Sequence, residues 1–288
     1  MNPKVLFLSL LGRSFAYINN PQQPDPNPSQ PLRAWMCSGK TNAELVGKLA
    51  SAGIVKSPVV KRALLAVDRR DYVPGSMSAS AYQDNPIPIG RGQTISAPHM
   101  HAHCIEDLLP SLKRASERNP DEPLRVLDVG LGSGFLTAAF GRLIQAKSDE
   151  LKAGAVYGID VIPELVEAAR SNMLKRDGDL LDSGIVTLDV ADGWHGYPRG
   201  SPYHAIHVGA AAATLPTDLM LQLAVGGTMV IPVGPDGGTQ YLYQVERVGN
   251  RGGVVGTDDD AKVKGYREED YQMRRVLGVR YVPLVRKD

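Results

Sequence analysis

Leu124-Arg-Val-Leu-Asp-Val-Gly-Leu-Gly-Ser-Gly-Phe-Leu-Thr137 is the segment around which the chain is organised. Val126, Leu127 and Val129 form a short apolar, β-branched run suited to a strand buried on both faces. Gly130, Gly132 and Gly134 follow at once; without Cβ atoms they permit positive φ and let backbone N–H groups approach a ligand. Phe135 to Ile144 restarts an apolar pattern that can form the next helix. Strand, tight turn and helix in that order make a seat for a nucleotide-like ligand.

Moving outward, Asp128 precedes the first glycine, where a carboxylate repels phosphate but accepts hydrogen bonds from an ammonium or a hydroxyl. Ala155-Val-Tyr-Gly-Ile-Asp160 is a second short strand ending in an acid, the position at which a ribose diol is held. The two acids together favour S-adenosylmethionine over a dinucleotide or a plain structural turn. Strand Val126 to Val129, helix Phe135 to Ala146, strand Val156 to Ile159 and helix Pro163 to Lys175 then make a βαβα unit, which builds a parallel sheet by right-handed crossovers. Ile185 to Asp189 and Tyr203 to Ala212 continue it, and Pro216 to Leu223, Thr228 to Val233 and Gln240 to Arg247 supply a helix and two more strands. Ligands of such sheets sit beyond the carboxyl ends of the strands, so Asp128, Asp160, Asp192 and Gly209 map to one rim. Asp192 can meet an adenine amino group or simply make an Asp-Gly turn. His207, between Ile206 and Val208, is either a catalytic group or a packed strand residue.

Composition narrows the classes. A chain of 288 residues with 43% hydrophobic content can bury a sizeable core, and 32 Lys plus Arg against 31 Asp plus Glu leaves no field for gripping nucleic acid. Two cysteines are too few for a disulfide framework, which favours a reducing, cytoplasmic setting. No apolar run approaches the roughly 20 residues needed to span a bilayer. A monomer without membrane or nucleic-acid partners is expected. Asn19 to Pro31 is rich in proline, so residues 1–31 read as a disordered extension. Residues 32–288 read as one domain with a helical cap over about 32–88 and a mobile excursion over about 250–269, before Arg280 to Val285 resumes strand character.

Within the cap, Thr41-Asn-Ala-Glu44 has the spacing of a capping box, and Ser57-Pro58 is a second helix start. Thr94 and Ser96 are donors in a glycine-flanked turn ahead of a helix from His99 to Leu109; the plain alternative is that Ser96 caps that helix. His99, His101 and His103 invite a metal reading, but only the first and last share a helix face and no other ligand cluster accompanies them, so no metal is expected.

At Thr94-Ile-Ser-Ala-Pro-His-Met-His101 and Leu127-Asp-Val-Gly-Leu-Gly-Ser-Gly134 the sequence closely resembles the protein-L-isoaspartate (D-aspartate) O-methyltransferases. Ala34-Trp35, Asp160, Asp192-Gly193, Ala205 to Ala211, Ile231 to Pro235 and Tyr281 to Leu284 extend the resemblance over about Leu32 to Leu284. It implies a Rossmann-like class I S-adenosylmethionine-dependent methyltransferase, an α/β fold with a doubly wound, mostly parallel sheet and an N-terminal helical cap. It further implies methyl transfer to the α-carboxylate of L-isoaspartyl, and some D-aspartyl, residues in damaged proteins and peptides, leaving S-adenosylhomocysteine.

Carried over position by position, the resemblance makes Ser96 the active-site hydroxyl that orients the substrate carboxylate. Thr94, Ile95, His101, Asp128, Gly130, Gly132, Gly134, Asp160, Asp192 and Gly193 fall on the cofactor side. Ala97, His207, Val208, Gly209 and Ala210 join Ser96 along the peptide groove, where backbone donors would hold the substrate as an added strand. Val285, standing where relatives often have threonine, and the end at Asp288 depart from the family pattern and put a closing contact in question. The competing readings are a methyltransferase of the same fold acting on RNA or a small molecule, against which the absence of an Asn-Pro-Pro-Tyr type of motif counts, and an adaptor that retains the cofactor site without turnover.

Overall fold

In the computed structural model, residues 37–145, 150–249 and 268–286 are described. The expected disordered extension at 1–31, the first residues of the cap and most of the excursion at 250–269 lie outside them. The cap begins with helices α1 (Asn42–Ser51) and α2 (Pro58–Ala66) and continues through two short 3-10 turns. Thr41 caps α1 by accepting the Glu44 N–H at 3.2 Å, as the spacing predicts, but the Glu44 carboxylate reaches back to the N–H of Lys40. Strands β1 (Ile87–Gly90) and β2 (Gln93–Ile95) form a separate hairpin, which the sequence reading took as loop, and lead into helix α3 (Pro98–Arg118).

The main sheet is built from β3 (Leu124–Val129), β4 (Gly154–Asp160), β5 (Val186–Val190), β6 (Tyr203–Val208), β7 (Leu223–Val233), β8 (Gln240–Arg247) and β9 (Tyr271–Val279), in the spatial order β5-β4-β3-β6-β7-β8-β9. Neighbours from β5 through β7 run parallel and β8 and β9 close the edge antiparallel. The strand order reverses between β3 and β6, so a crevice opens at the carboxyl ends of these strands. Helices α4 (Phe135–Ile144), α5 (Pro163–Met173), α6 (Gly178–Asp182) and α7 (Thr217–Leu221) complete the domain. No helix among the described residues is long and apolar enough to cross a membrane.

Alternation along the strands divides the core. Leu124, Val126, Ala205 and Val230 join α3, α4 and the cap on one face, whereas Leu127, Val129, Ile206, Val208, Met229 and Ile231 pack on the other. Asp128 and His207 share the first face, because each lies two residues from one of its apolar members. The cap is fastened to the body by polar groups: the Tyr72 hydroxyl donates to Asp177 at 2.5 Å, and Arg142 pairs with the same carboxylate at 2.8 Å. Burial and the adjoining Asp177 charge push the Tyr72 hydroxyl well above its ordinary pKa, so it remains a donor.

The largest departures from the sequence reading lie at the ends of elements. Helix α3 continues through Pro110 to Arg118, since Leu109 and Leu112 prolong its buried face and Ser111 donates to the Leu108 carbonyl. The strand expected over Arg280 to Val285 is instead a strap carrying one bridge, from Pro283 to Ala211, and the last strand is β9.

Candidate active site

The carboxyl ends of β3, β4 and β6, the β1–β2 hairpin and the strap surround a cleft. It is lined by Gln93 and Thr94 on one side, Gly130, Gly132, Asp160 and Gly193 along the floor, and Val282 to Val285 opposite. Gly209 and Ala210 also line it, as do Ile159, Ile162 and Leu165. A Cβ on Gly209 would stand 2.9 Å from the Gly130 carbonyl, so the close approach of the two strand ends requires glycine there.

The glycine turn does not present its amides as the sequence suggested. The N–H groups of Gly130 and Leu131 both donate to the Ile159 carbonyl, at 2.8 and 3.0 Å, and that of Gly132 donates to Asp160 Oδ2 at 3.1 Å. These donors are turned inward, onto oxygens of the protein itself, and are not offered to a phosphate. That arrangement disfavours a dinucleotide and suits a ligand whose recognised groups are hydroxyls and a cation. Asp160 also accepts from the Ile162 N–H at 3.0 Å. Burial raises its pKa, and the backbone donors oppose that shift.

Asp128 occupies a different environment. Its side chain is 1% exposed, Oδ2 accepts from the Thr137 hydroxyl at 2.5 Å and Oδ1 lies 2.8 Å from His207 Nδ1. His207 is therefore a packed strand residue joined to Asp128 on the α3 face, and neither it nor Val208 lines the cleft. Burial disfavours the charged ring, but hydrogen bonds to Asp128 and then Cys104 outweigh it and lift the His207 pKa to about 10.

Asp192 accepts from the Trp194 N–H at 2.9 Å, the turn-forming bond of its plainer reading, and sets Gly193 in the cleft. The backbone proposed to receive a substrate strand is already engaged at Ala211, whose N–H donates to Val282 and whose carbonyl accepts from Leu284. Gly209 N–H likewise donates to Val129. At Ala211 the pairing partner is the chain's own strap.

Beside the cleft, Ser96 does not cap α3: the cap position belongs to Ala97, and no side-chain bond is made there. Ile95 and Ala97 are buried on either side of it, while Ser96 itself is half-buried and Thr94 exposed. Its carbonyl accepts from Arg69 Nη2 at 2.8 Å. Arg69 is 0% exposed, its guanidinium carbon lies 5.6 Å from the Phe135 ring centroid, and its Nε and Nη1 have no hydrogen-bond partner among the described residues. Burial lowers its pKa to about 9, with Asp84 opposing. Sequence reasoning missed this residue, since an arginine in a short turn carries no signature of burial. It also missed the apolar lining from Val282 to Leu284.

The three histidines of α3 point into different surroundings. His99 Nδ1 lies 2.8 Å from Asp84, His103 stands 3.9 Å from Asp107, and His101 stacks on Phe135 at 5.1 Å. No group of metal ligands is formed among the described residues. Burial, then the Arg69 charge, holds His101 well below its ordinary pKa, and its Nδ1 is buried without a hydrogen-bond partner. The result is a neutral ring with an unmet nitrogen, next to the helix that follows the glycine turn.

A glycine turn closed against phosphate, an acid at the end of the second strand and a crevice at the point of strand reversal define the class as a Rossmann-like methyltransferase. A family model, Protein-L-isoaspartate(D-aspartate) O-methyltransferase (PCMT), matches residues 40–288. The protein-L-isoaspartate O-methyltransferase of Ignicoccus hospitalis is 37% identical over 245 residues, spanning 85% of this chain and 97% of that relative. That of Hyperthermus butylicus is 46% identical over 205 residues, 70% of this chain and 78% of the relative. A Plasmodium falciparum beta-aspartate methyltransferase (PCMT), crystallised with S-adenosyl-L-homocysteine, superposes with a TM-score of 0.68 at 27% identity, covering 86% of this chain and all of its own. The chain belongs to the protein-L-isoaspartate O-methyltransferase family.

Proposed function

We propose that the chain transfers a methyl group from S-adenosylmethionine to the α-carboxylate of L-isoaspartyl, and some D-aspartyl, residues of damaged proteins and peptides. The observation that carries this reading is the Thr94 to Ser96 turn. It borders the cofactor cleft through Thr94, its backbone is held by buried Arg69, and its serine hydroxyl is not spent on capping α3.

When bound, S-adenosylmethionine supplies a sulfonium-activated methyl group. The residues around it have the simpler tasks of binding, orientation and exclusion of water. Asp160 would accept from the ribose hydroxyls, Gly130 and Gly132 would allow close approach at the methionine end, and Asp192 with Gly193 would bound the adenine. His101 supplies a neutral nitrogen on the same side. Ser96 donates to one oxygen of the substrate carboxylate and turns the other toward the methyl group. A carboxylate is ionised at neutral pH, so no general base is required. Gly209 and Ala210 border the peptide, while Ala211 serves the strap. The free, buried thiols of Cys37 and Cys104 suit a cytoplasmic location.

Incubating the purified protein with labelled methyl donor and aged protein, freshly purified protein or RNA tests the assignment. Alkali-labile methyl esters that accumulate on the aged protein are expected. Label on RNA, or equal label on fresh and aged protein, contradicts it.

A further inference from the structure

At the opposite end of the sheet from the cleft, the last turn of α3 and the amino ends of β6 and β7 enclose a second pocket. Strand β6 has 6 residues, so at about 3.3 Å per residue this pocket lies roughly 20 Å from the rim that carries Gly130 and Gly209. Its walls are of two kinds. Pro202, Leu223, Ala224 and Val225 make an apolar side, on which Val225 is 45% exposed. Arg114, Arg118, Arg247 and His204 make a side of hydrogen-bond donors, with Glu122 as the acid among the described lining residues.

Two of the four donors hold the wall together. Arg114 Nη2 donates to the Gly226 carbonyl at 3.1 Å and to Glu246 at 2.9 Å, and Arg247 Nη1 donates to the Leu223 carbonyl at 2.7 Å. Arg118 and His204 are not used in this way. Arg118 makes no hydrogen bond or ion pair among the described residues. Its Nη1 lies against β7, where a Cβ on Gly226 would stand 2.7 Å from it. An arginine in the last turn of α3 that only offset the helix dipole would lie back over its own carbonyls, whereas this one reaches across to the facing strand. His204 is 7% exposed, and its Nδ1 accepts the Arg125 N–H at 3.0 Å, which fixes the proton of the neutral ring on Nε2. Burial lowers the pKa of the ring, so at neutral pH it keeps that tautomer. Nε2–H is thus a donor on a lining residue, with no hydrogen-bond partner among the described residues.

A guanidinium fork, one further N–H donor and an apolar wall suit a carboxylate carried on a short hydrocarbon body. The carboxylate oxygens would pair with Arg118 and accept from His204, while the hydrocarbon would cover Val225 and Pro202. The Glu122 carboxylate disfavours a doubly charged phosphate in the same place. We propose that this pocket is a binding site for small monocarboxylates, held by Arg118 and His204 and separate from the cleft at the other end of the sheet. The inference is independent of the function proposed above.

The test is calorimetric titration of the full-length protein with hexanoate, with hexanamide as the neutral probe and inorganic phosphate as the probe without hydrocarbon. Hexanoate should bind at one site per chain and at least tenfold more tightly than either control. Arg118→Gln should weaken hexanoate about tenfold, the scale of one charge-assisted hydrogen bond, and Val225→Ser should weaken it by a smaller factor. Both variants should melt and bind S-adenosylhomocysteine as wild type does. An absence of hexanoate binding, equal affinity for hexanamide or phosphate, or undiminished binding by Arg118→Gln would overturn the proposal. Displacement of hexanoate by S-adenosylhomocysteine would place it in the cleft and overturn the proposal as well.

Discussion

Asp128 and Asp160 end neighbouring parallel strands, yet their surroundings give them different work. Asp160 lines the cleft, and its removal acts on the ligand. Asp160→Asn, which keeps an acceptor for the Gly132 and Ile162 N–H groups, should weaken S-adenosylhomocysteine binding by about tenfold to a hundredfold in calorimetry, the range for hydrogen bonds to a charged acceptor, with little change in melting temperature. Asp128 is enclosed by Thr137 and His207, so Asp128→Ala leaves a buried imidazolium unpaired and should cost about 3–5 kcal/mol of stability in denaturant titrations. Affinity lost by the Asp128 variant at unchanged stability would contradict this division. The same pair predicts a pH dependence. His207 titrates near 6.5 when unfolded and near about 10 when folded, so its contribution is fully present below the first value and lost as the pH climbs through the second. Melting temperatures measured from neutral to alkaline pH should fall more steeply for wild type than for His207→Asn; parallel curves would contradict the assignment.

At the scale of elements, the strap and the β1–β2 hairpin complete a cleft that the strand ends only begin. Trp194 donates its indole N–H to the Leu284 carbonyl at 3.0 Å, and Arg286 lies 4.4 Å above the Trp194 ring, so the strap is pinned. Leu284→Ala should weaken S-adenosylhomocysteine binding about tenfold, the worth of one well-buried leucine side chain, and unchanged affinity would show that the strap does not bear on the ligand. These elements also mark where sequence reading stopped. The buried parallel strands were legible because each is a short apolar run followed by a turn and a helix. Strand β9 was not, since Arg274, Arg275 and Gly278 interrupt its pattern, and its pairing is decided by β8. Tyr281 to Val285 has the apolar character of a strand but only Ala211 to bridge, so it runs as a strap. The helix α3 was read short because Pro110 is a breaker locally, whereas packing of Leu112 carries it onward.

In the whole molecule, a cap, a sheet and a strap converge on one rim. The cap supplies Arg69 to the Ser96 carbonyl and Tyr72 to the Asp177–Arg142 pair, so the turn beside the cleft is supported from outside the sheet. The residue types of the site were readable from the chain, but their division into ligand contacts and buried supports was not, because it depends on which strand face each occupies. This architecture is expected to methylate an abnormal carboxylate that normal proteins lack. The most direct measurement compares initial rates of methyl transfer to two synthetic peptides identical except for one residue, L-isoaspartyl in one and L-aspartyl in the other. Transfer to the isoaspartyl peptide alone is predicted; equal rates on the two, or none on either while the cofactor binds, would contradict it.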